Sequence, residues 1–139
     1  MNIRSRVRTN YFRVTDAEKL TAILARCKPD DVDNIQLFNR KEDGETLYAF
    51  GCSSTINGYY VSEDEEADYD SLIDDLQAVV APGDAIIIME VGYEALKYVF
   101  GSAFIITSED MRSVDFTNTV LKEAAEVLGN PDYQTTIEY

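Results

Sequence analysis

The sequence predicts an α+β fold: a largely antiparallel sheet with three helices. Three observations carry this expectation. Two apolar runs rich in Ile, Val, Phe and Tyr, residues 85–91 and 98–106, stand only a short polar link apart, which suits an antiparallel pair. Three other stretches place apolar residues at helical spacing between start and stop signals. The remaining short runs, rich in β-branched and aromatic residues, outnumber the helices and lie in hairpin order. The expected order is βαββ, an acidic loop at about residues 62–70, αββα and a last β. A chain of 139 residues is long enough for one hydrophobic core without metal or disulfide, and the expectation is a single domain over residues 1–139.

At the start, Arg4, Arg6 and Arg8 alternate with Ser5, Val7 and Thr9 and lead into Tyr11, Phe12 and Val14. Period two places the three arginines on one face of a strand. Thr15 and Glu18 have the spacing of a capping box. The helix behind them carries Ala17, Leu20, Ile23, Leu24 and Cys27 on one side and ends before Pro29. Residues 35–39 and 46–52 read as a hairpin whose turn, residues 41–44, has Gly44 to accept positive φ. Residues 53–58 read as loop and 59–61 as a short edge strand.

Residues 63–70 contain six acids and no base, a block that stays in water. It feeds a second helix with Tyr69, Leu72, Ile73, Leu76, Val79 and Val80 as its apolar stripe and Asp70, Asp74 and Asp75 outward. Residues 81–83, Ala-Pro-Gly, end it. The pair 85–91 and 98–106 then reads as the centre of the sheet, covered on both faces. Residues 108–110 form a turn and 111–114 a short extended piece. Phe116, Val120, Leu121, Ala124 and Leu128 define the third helix, which Gly129 and Pro131 terminate. Residues 134–139 are expected to form the last strand.

Twelve Lys and Arg against 26 Asp and Glu give a net charge of −14. The charge is unevenly distributed. Residues 1–41 hold nine basic and five acidic side chains, a balance of +4; residues 42–139 hold three and 21, a balance of −18. Such a surface repels nucleic acid and anionic membranes and attracts basic proteins. No apolar run approaches the roughly 20 residues that cross a bilayer, and the basic N-terminus lacks the apolar stretch of a secretory signal. A cytoplasmic protein is expected, with Cys27 and Cys52 as reduced, partly buried thiols.

The chain has no histidine, which removes the commonest general base, the Ser-His and Cys-His arrangements and the commonest metal ligand. No phosphate-binding glycine loop and no GxSxG occurs. Ser102 sits among small residues in an expected strand, where packing is the simpler role. Glu90, a lone acid in an apolar strand, is the best acid–base candidate; the plainer reading is a strand-end residue with Glu94 and Lys97 nearby. Asp64, Glu66, Asp68 and Asp70 alternate, but an EF-hand counted from Asp64 would need Gly where Tyr69 stands and Glu where Asp75 stands. No cofactor or metal is expected. The nine tyrosines read as core-edge residues; a stacking platform of Tyr11 and Phe12 beside Arg4, Arg6, Arg8 and Arg13 would be opposed by the overall charge.

Asn10-Tyr11-Phe12-Arg13-Val14-Thr15-Asp16, Phe50-Gly51-Cys52, Asp84-Ala85-Ile86-Ile87-Ile88, Ile105-Ile106-Thr107-Ser108, Leu128-Gly129-Asn130-Pro131 and Ile137-Glu138-Tyr139 together resemble a family of small acidic proteins of unknown function. That family is carried on conjugative elements and prophages of anaerobic gut bacteria. The resemblance implies a context, action on host defence or transfer machinery, and no site residues. The first functional reading is therefore a non-enzymatic acidic interaction protein that binds a basic host or element protein by imitating nucleic-acid charge; the plainer reading of the same acids is that they keep the protein soluble. Its expected surface is Glu63, Asp64, Glu65, Glu66, Asp68, Asp70, Asp74 and Asp75. The alternative is a small enzyme or ligand-binding domain with a pocket near Glu90, Tyr93 and Tyr98. A third reading is a homo-oligomer joined through an edge strand such as residues 3–14.

Overall fold

The computed structural model describes residues 4–29 and 35–136. Its elements are β1 (Arg4–Thr9), α1 (Ala17–Ala25), β2 (Cys27–Pro29), β3 (Gln36–Glu42), β4 (Glu45–Cys52), β5 (Ile56–Tyr59), α2 (Tyr69–Val79), β6 (Ile86–Glu94), β7 (Tyr98–Ile106), β8 (Met111–Asp115) and α3 (Phe116–Leu128). Six strands form one sheet in the order β3-β4-β1-β6-β7-β8, and β2 pairs with β5. All pairings are antiparallel. The fold is α+β, as the sequence predicts.

The N-terminal strand occupies the middle. β1 pairs with β6 from Arg4 opposite Tyr93 to Thr9 opposite Ile88, and with β4 at Val7 opposite Cys52. The expected edge strand is thus an interior one, and its backbone is not open to a second copy. β1 also ends sooner than the alternation suggests. Thr9 Oγ1 accepts from the Phe50 N–H at 3.0 Å, and Asn10 spans β6 by donating to Ala85 O and accepting from Ile87 N–H at 3.0 and 2.8 Å. Side chains here replace ladder bonds. Beyond them, Phe12 exchanges backbone bonds with Tyr48, and Thr15 N–H donates to Val79 O.

Helix α1 is capped by Asp16, which accepts from the amides of Glu18 and Lys19. Thr15, the expected cap, instead donates its hydroxyl to Val79 O. Both residues suit an N-cap; the tertiary bond to α2 decides between them. Cys27 lies beyond α1, in β2. Asp68 caps α2 and Asp115 caps α3. The hairpin β3–β4 turns through Asp43 and Gly44 at φ 54° and 82°, the paired positive values of a type I′ turn.

Period two sorts the sheet into two faces. Ser5, Val7 and Thr9 of β1 and Ile86 and Ile88 of β6 point to the side where α1 and α2 lie, and are buried. Leu20, Ile23 and Leu24 of α1, and Leu72, Ile73, Leu76 and Val79 of α2, complete that core with Phe12, Phe50, Ile56, Tyr59 and Ile106. The opposite face is not covered over β6 and the Val99 end of β7, whereas Phe116 at the start of α3 stands over Gly101 of β7. Met89, Val91, Tyr93 and Val99 are 45–58 % exposed, so the expectation of a pair buried on both sides fails there. α3, the element that could cover them, has no buried residue.

The strand β5 begins within the stretch expected to be loop, because its partner β2 lies far off in sequence. Tyr60 and Val61, expected in a strand, lie past its end. The last expected strand does not form at residues 134–136, which are irregular, and residues 137–139 lie outside the described residues. No helix among the described residues is long and apolar enough to cross a membrane.

Gly58 and Gly44 separate conformational strain from steric contact. Gly58 has φ 119°, and a Cβ there would stand 2.6 Å from Asp68 C and Tyr69 N, whereas nothing lies within 4 Å of one at Gly44. Gly58→Ala should cost about 3 kcal/mol or more, and Gly44→Ala only about 1 kcal/mol. Urea unfolding of the two variants checks this; equal losses would contradict it.

Candidate functional site

The acidic stretch follows from its own composition: a run without apolar positions has nothing to bury. Glu63, Asp64, Glu65 and Glu66 are exposed and enter no ion pair among the described residues. Asp68 is tied down. It exchanges backbone bonds with Tyr59, and its carboxylate accepts from Ser71 N–H and Oγ at 3.0 and 2.6 Å. Those bonds hold its pKa below the usual carboxylate value. Asp70 and Asp74 are exposed on α2.

Asp75, expected outward, is half-exposed and also tied to its neighbours. Its Oδ2 accepts from Tyr59 Oη at 2.6 Å and lies 3.7 Å from Arg26 Nη1, while the Arg26 guanidinium stacks 3.9 Å above the Tyr59 ring centroid. Seven of the eight expected residues thus lie on one exposed rim, and the eighth joins β5, α1 and α2. Among the described residues, no group of three Asp, Glu or Cys side chains is arranged to hold a metal ion.

Glu90, Tyr93 and Tyr98 do not converge. Glu90 and Tyr98 share the helix-covered face of the sheet, and the alternation of β6 turns Tyr93 to the other. Glu90 Oε2 accepts from Thr55 Oγ1 at 2.7 Å, and Thr55 Oγ1 lies 3.0 Å from Ser5 Oγ. Beside this chain is a cavity of about 20 Å³ bordered by Glu90, Tyr69, Cys27, Ser102, Phe104 and Leu72, room for one water molecule. Ser102 stands opposite Glu90 in the ladder. Lys97, expected near Glu90 as a partner, instead lies with its Nζ 3.9 Å from Glu94 Oε1, and Glu90 takes Thr55 as its partner.

Burial dominates the acid–base character of this region. It pushes the Cys27 thiol up to about 11 against a small opposing effect of Arg26, and the Tyr69 phenol to about 12, with the Glu90 charge adding to the rise. The Tyr59 phenol is raised by burial and then by Asp75. A thiol held in its neutral form is a poor nucleophile. Cys27 and Cys52 form no disulfide.

The third feature is one that sequence reasoning missed. Met89, Val91, Tyr93, Val99 and Val114 are exposed on the outer face, bordered on β1 by Arg4 and Arg6, which stand beside Tyr93 and Val91 in the ladder. The signal was present as alternation: these β6 residues interleave with Glu90, Gly92 and Glu94. Over β3 and β4 the same face is covered by its own side chains, with Arg8 4.6 Å from the Phe38 ring and Arg40 4.3 Å from that of Tyr11. Tyr11 is therefore stacked within the chain, and Phe12 is wholly buried, so neither forms an open platform. Gly101 lies under Phe116, whose Cβ would be 3.4 Å from a side chain there, the packing role expected of the small residues around Ser102.

Comparison with protein-family models, with curated proteins and with solved structures finds no match to this chain.

The raised thiol and phenols give a pH dependence. The folded protein holds these protons more tightly than the unfolded chain, so stability falls as pH rises from about 9 to about 12. Urea midpoints across that range should decline, and Cys27→Ala with Tyr69→Phe should flatten the decline. At pH 8, alkylation of Cys27 by iodoacetamide should be about 100-fold slower than that of an unperturbed cysteine.

Proposed function

We propose that this chain is a non-enzymatic interaction protein whose acidic rim, from Glu63 through Asp74, docks on a basic protein in place of nucleic acid. One observation carries the reading: four consecutive carboxylates, Glu63, Asp64, Glu65 and Glu66, are exposed without ion-pair partners among the described residues, and Asp70 and Asp74 continue them along α2. A dense array of unpaired carboxylates offers a basic groove the same long-range attraction as a phosphate backbone. The chain's −14 charge acts in the same direction. The lack of histidine and the small size of the cavity beside Glu90 support contact rather than turnover. On this reading the protein works in the cytoplasm, in the setting of a mobile element, against a basic host or element protein.

Competition tests the reading. Added to complexes of duplex DNA with a panel of basic DNA-binding proteins at about 50 mM salt, the chain should release the DNA from at least one of them, and salt should abolish the effect. A variant with Glu63→Gln, Asp64→Asn, Glu65→Gln and Glu66→Gln should compete at least about tenfold less well while unfolding within about 0.5 kcal/mol of the parent. Failure to release DNA from any of them at low salt overturns the proposal.

A further inference from the structure

The outer face of β6 with Val99 of β7, and the outward apolar stripe of α3, whose first residue Phe116 also stands over Gly101, are two exposed surfaces in one chain. On α3, Phe116, Val120, Glu123 and Val127 follow at intervals of four, three and four, and so share one side of the helix. Phe116, Val120 and Val127 are 56 %, 40 % and 85 % exposed, and Leu128 beside them is 59 % exposed. A monomer leaves single apolar side chains in water without consequence; two contiguous patches of this kind mark contact surfaces.

The two surfaces also match in charge. Glu123 lies within the helical stripe, and Arg4 and Arg6 border the sheet strip at Tyr93 and Val91. An open groove at that end of the sheet brings Arg4 and Arg6 together with Val91, Tyr93 and Val99. Neither Glu123 nor Arg4 forms an ion pair among the described residues. Arg6 donates to the Ser5 and Ser53 carbonyls at 2.9 and 3.0 Å, which holds its guanidinium at the rim and leaves its charge uncompensated.

We propose that a second copy of this chain covers the face. α3 of each copy lies across β6 and β7 of the other, with Phe116, Val120 and Val127 on Met89, Val91 and Val99 and Glu123 between Arg4 and Arg6. A helix of 13 residues is about 20 Å long, enough to cross the four neighbouring strands β1, β6, β7 and β8, which at about 4.8 Å spacing span about 14 Å. Because both halves of the contact belong to one chain, a two-fold axis closes it with each pair made twice. The backbone of β1 takes no part, and the acidic rim, which α2 and the loop before it carry, stays open to the basic protein proposed above.

Sedimentation equilibrium of the full chain should show a dimer at micromolar concentration. Val91→Glu and Val127→Glu, each at an exposed position, should weaken it at least about 100-fold with circular dichroism unchanged. Arg4→Glu with Arg6→Glu should also weaken it, and adding Glu123→Lys to that variant should restore it. Contact is read directly by mixing ¹⁵N-labelled chain with unlabelled chain that carries a spin label at Glu123→Cys. Broadening of the Val91 and Val99 amides in the labelled copy is the expected result. A monomer at about 1 mM, a dimer indifferent to all these variants, or broadening confined to other surfaces would overturn the proposal and leave the face to a different partner.

Discussion

β1 holds the sheet together because both of its neighbours are far away in sequence. Its partners on β4 lie 43–45 residues downstream and those on β6 79–89, so β1 unites a hairpin, β3–β4, with a meander, β6–β7–β8, that are otherwise separate. Its side chains strengthen the junction. Thr9 and Asn10 bind β4 and β6 through main-chain groups, and the following residues bond to Tyr48 and to the end of α2. Each such bond contributes on the order of 1 kcal/mol, and the closure entropy grows only slowly with loop length. The long intervening segments are therefore tolerable.

The same strand divides the molecule into two unlike surfaces. Its inward residues, Ser5, Val7 and Thr9, lie beneath two helices, and its outward residues are arginines. On the helical side, α2 turns its aliphatic stripe to the core and its carboxylates to water. On the other side the sheet shows aliphatic side chains with a basic border. Acids thus line α2 and the loop before it, and arginines line the open side of β1.

Between these surfaces, the polar interior has a structural character. Glu90 accepts from Thr55, Asp75 from Tyr59, and no buried side-chain oxygen or nitrogen among the described residues lacks a partner. Satisfied polar groups in a packed interior fix one arrangement of the elements around them. At the edge of the core, Arg26, Tyr59 and Asp75 add a polar link between the end of α1, β5 and α2.

What the sequence determined by itself was local. The type I′ turn at Asp43 and Gly44, the stripes of α1 and α2, the stop at Gly129 and the exposure of residues 63–66 each follow from a few neighbouring residues and their preferred backbone angles. Cys27 and Ile56 gave no comparable signal, since strands of three and four residues are too short to show a period and exist only through each other. Tertiary structure alone decided which strand stands in the middle, whether Thr15 or Asp16 caps α1, and how much of β6 is covered. An apolar residue in a strand states a preference for burial, whereas its actual exposure depends on where a distant helix comes to rest. For Met89, Val91 and Tyr93 that helix is α3, and within one chain it leaves them in water.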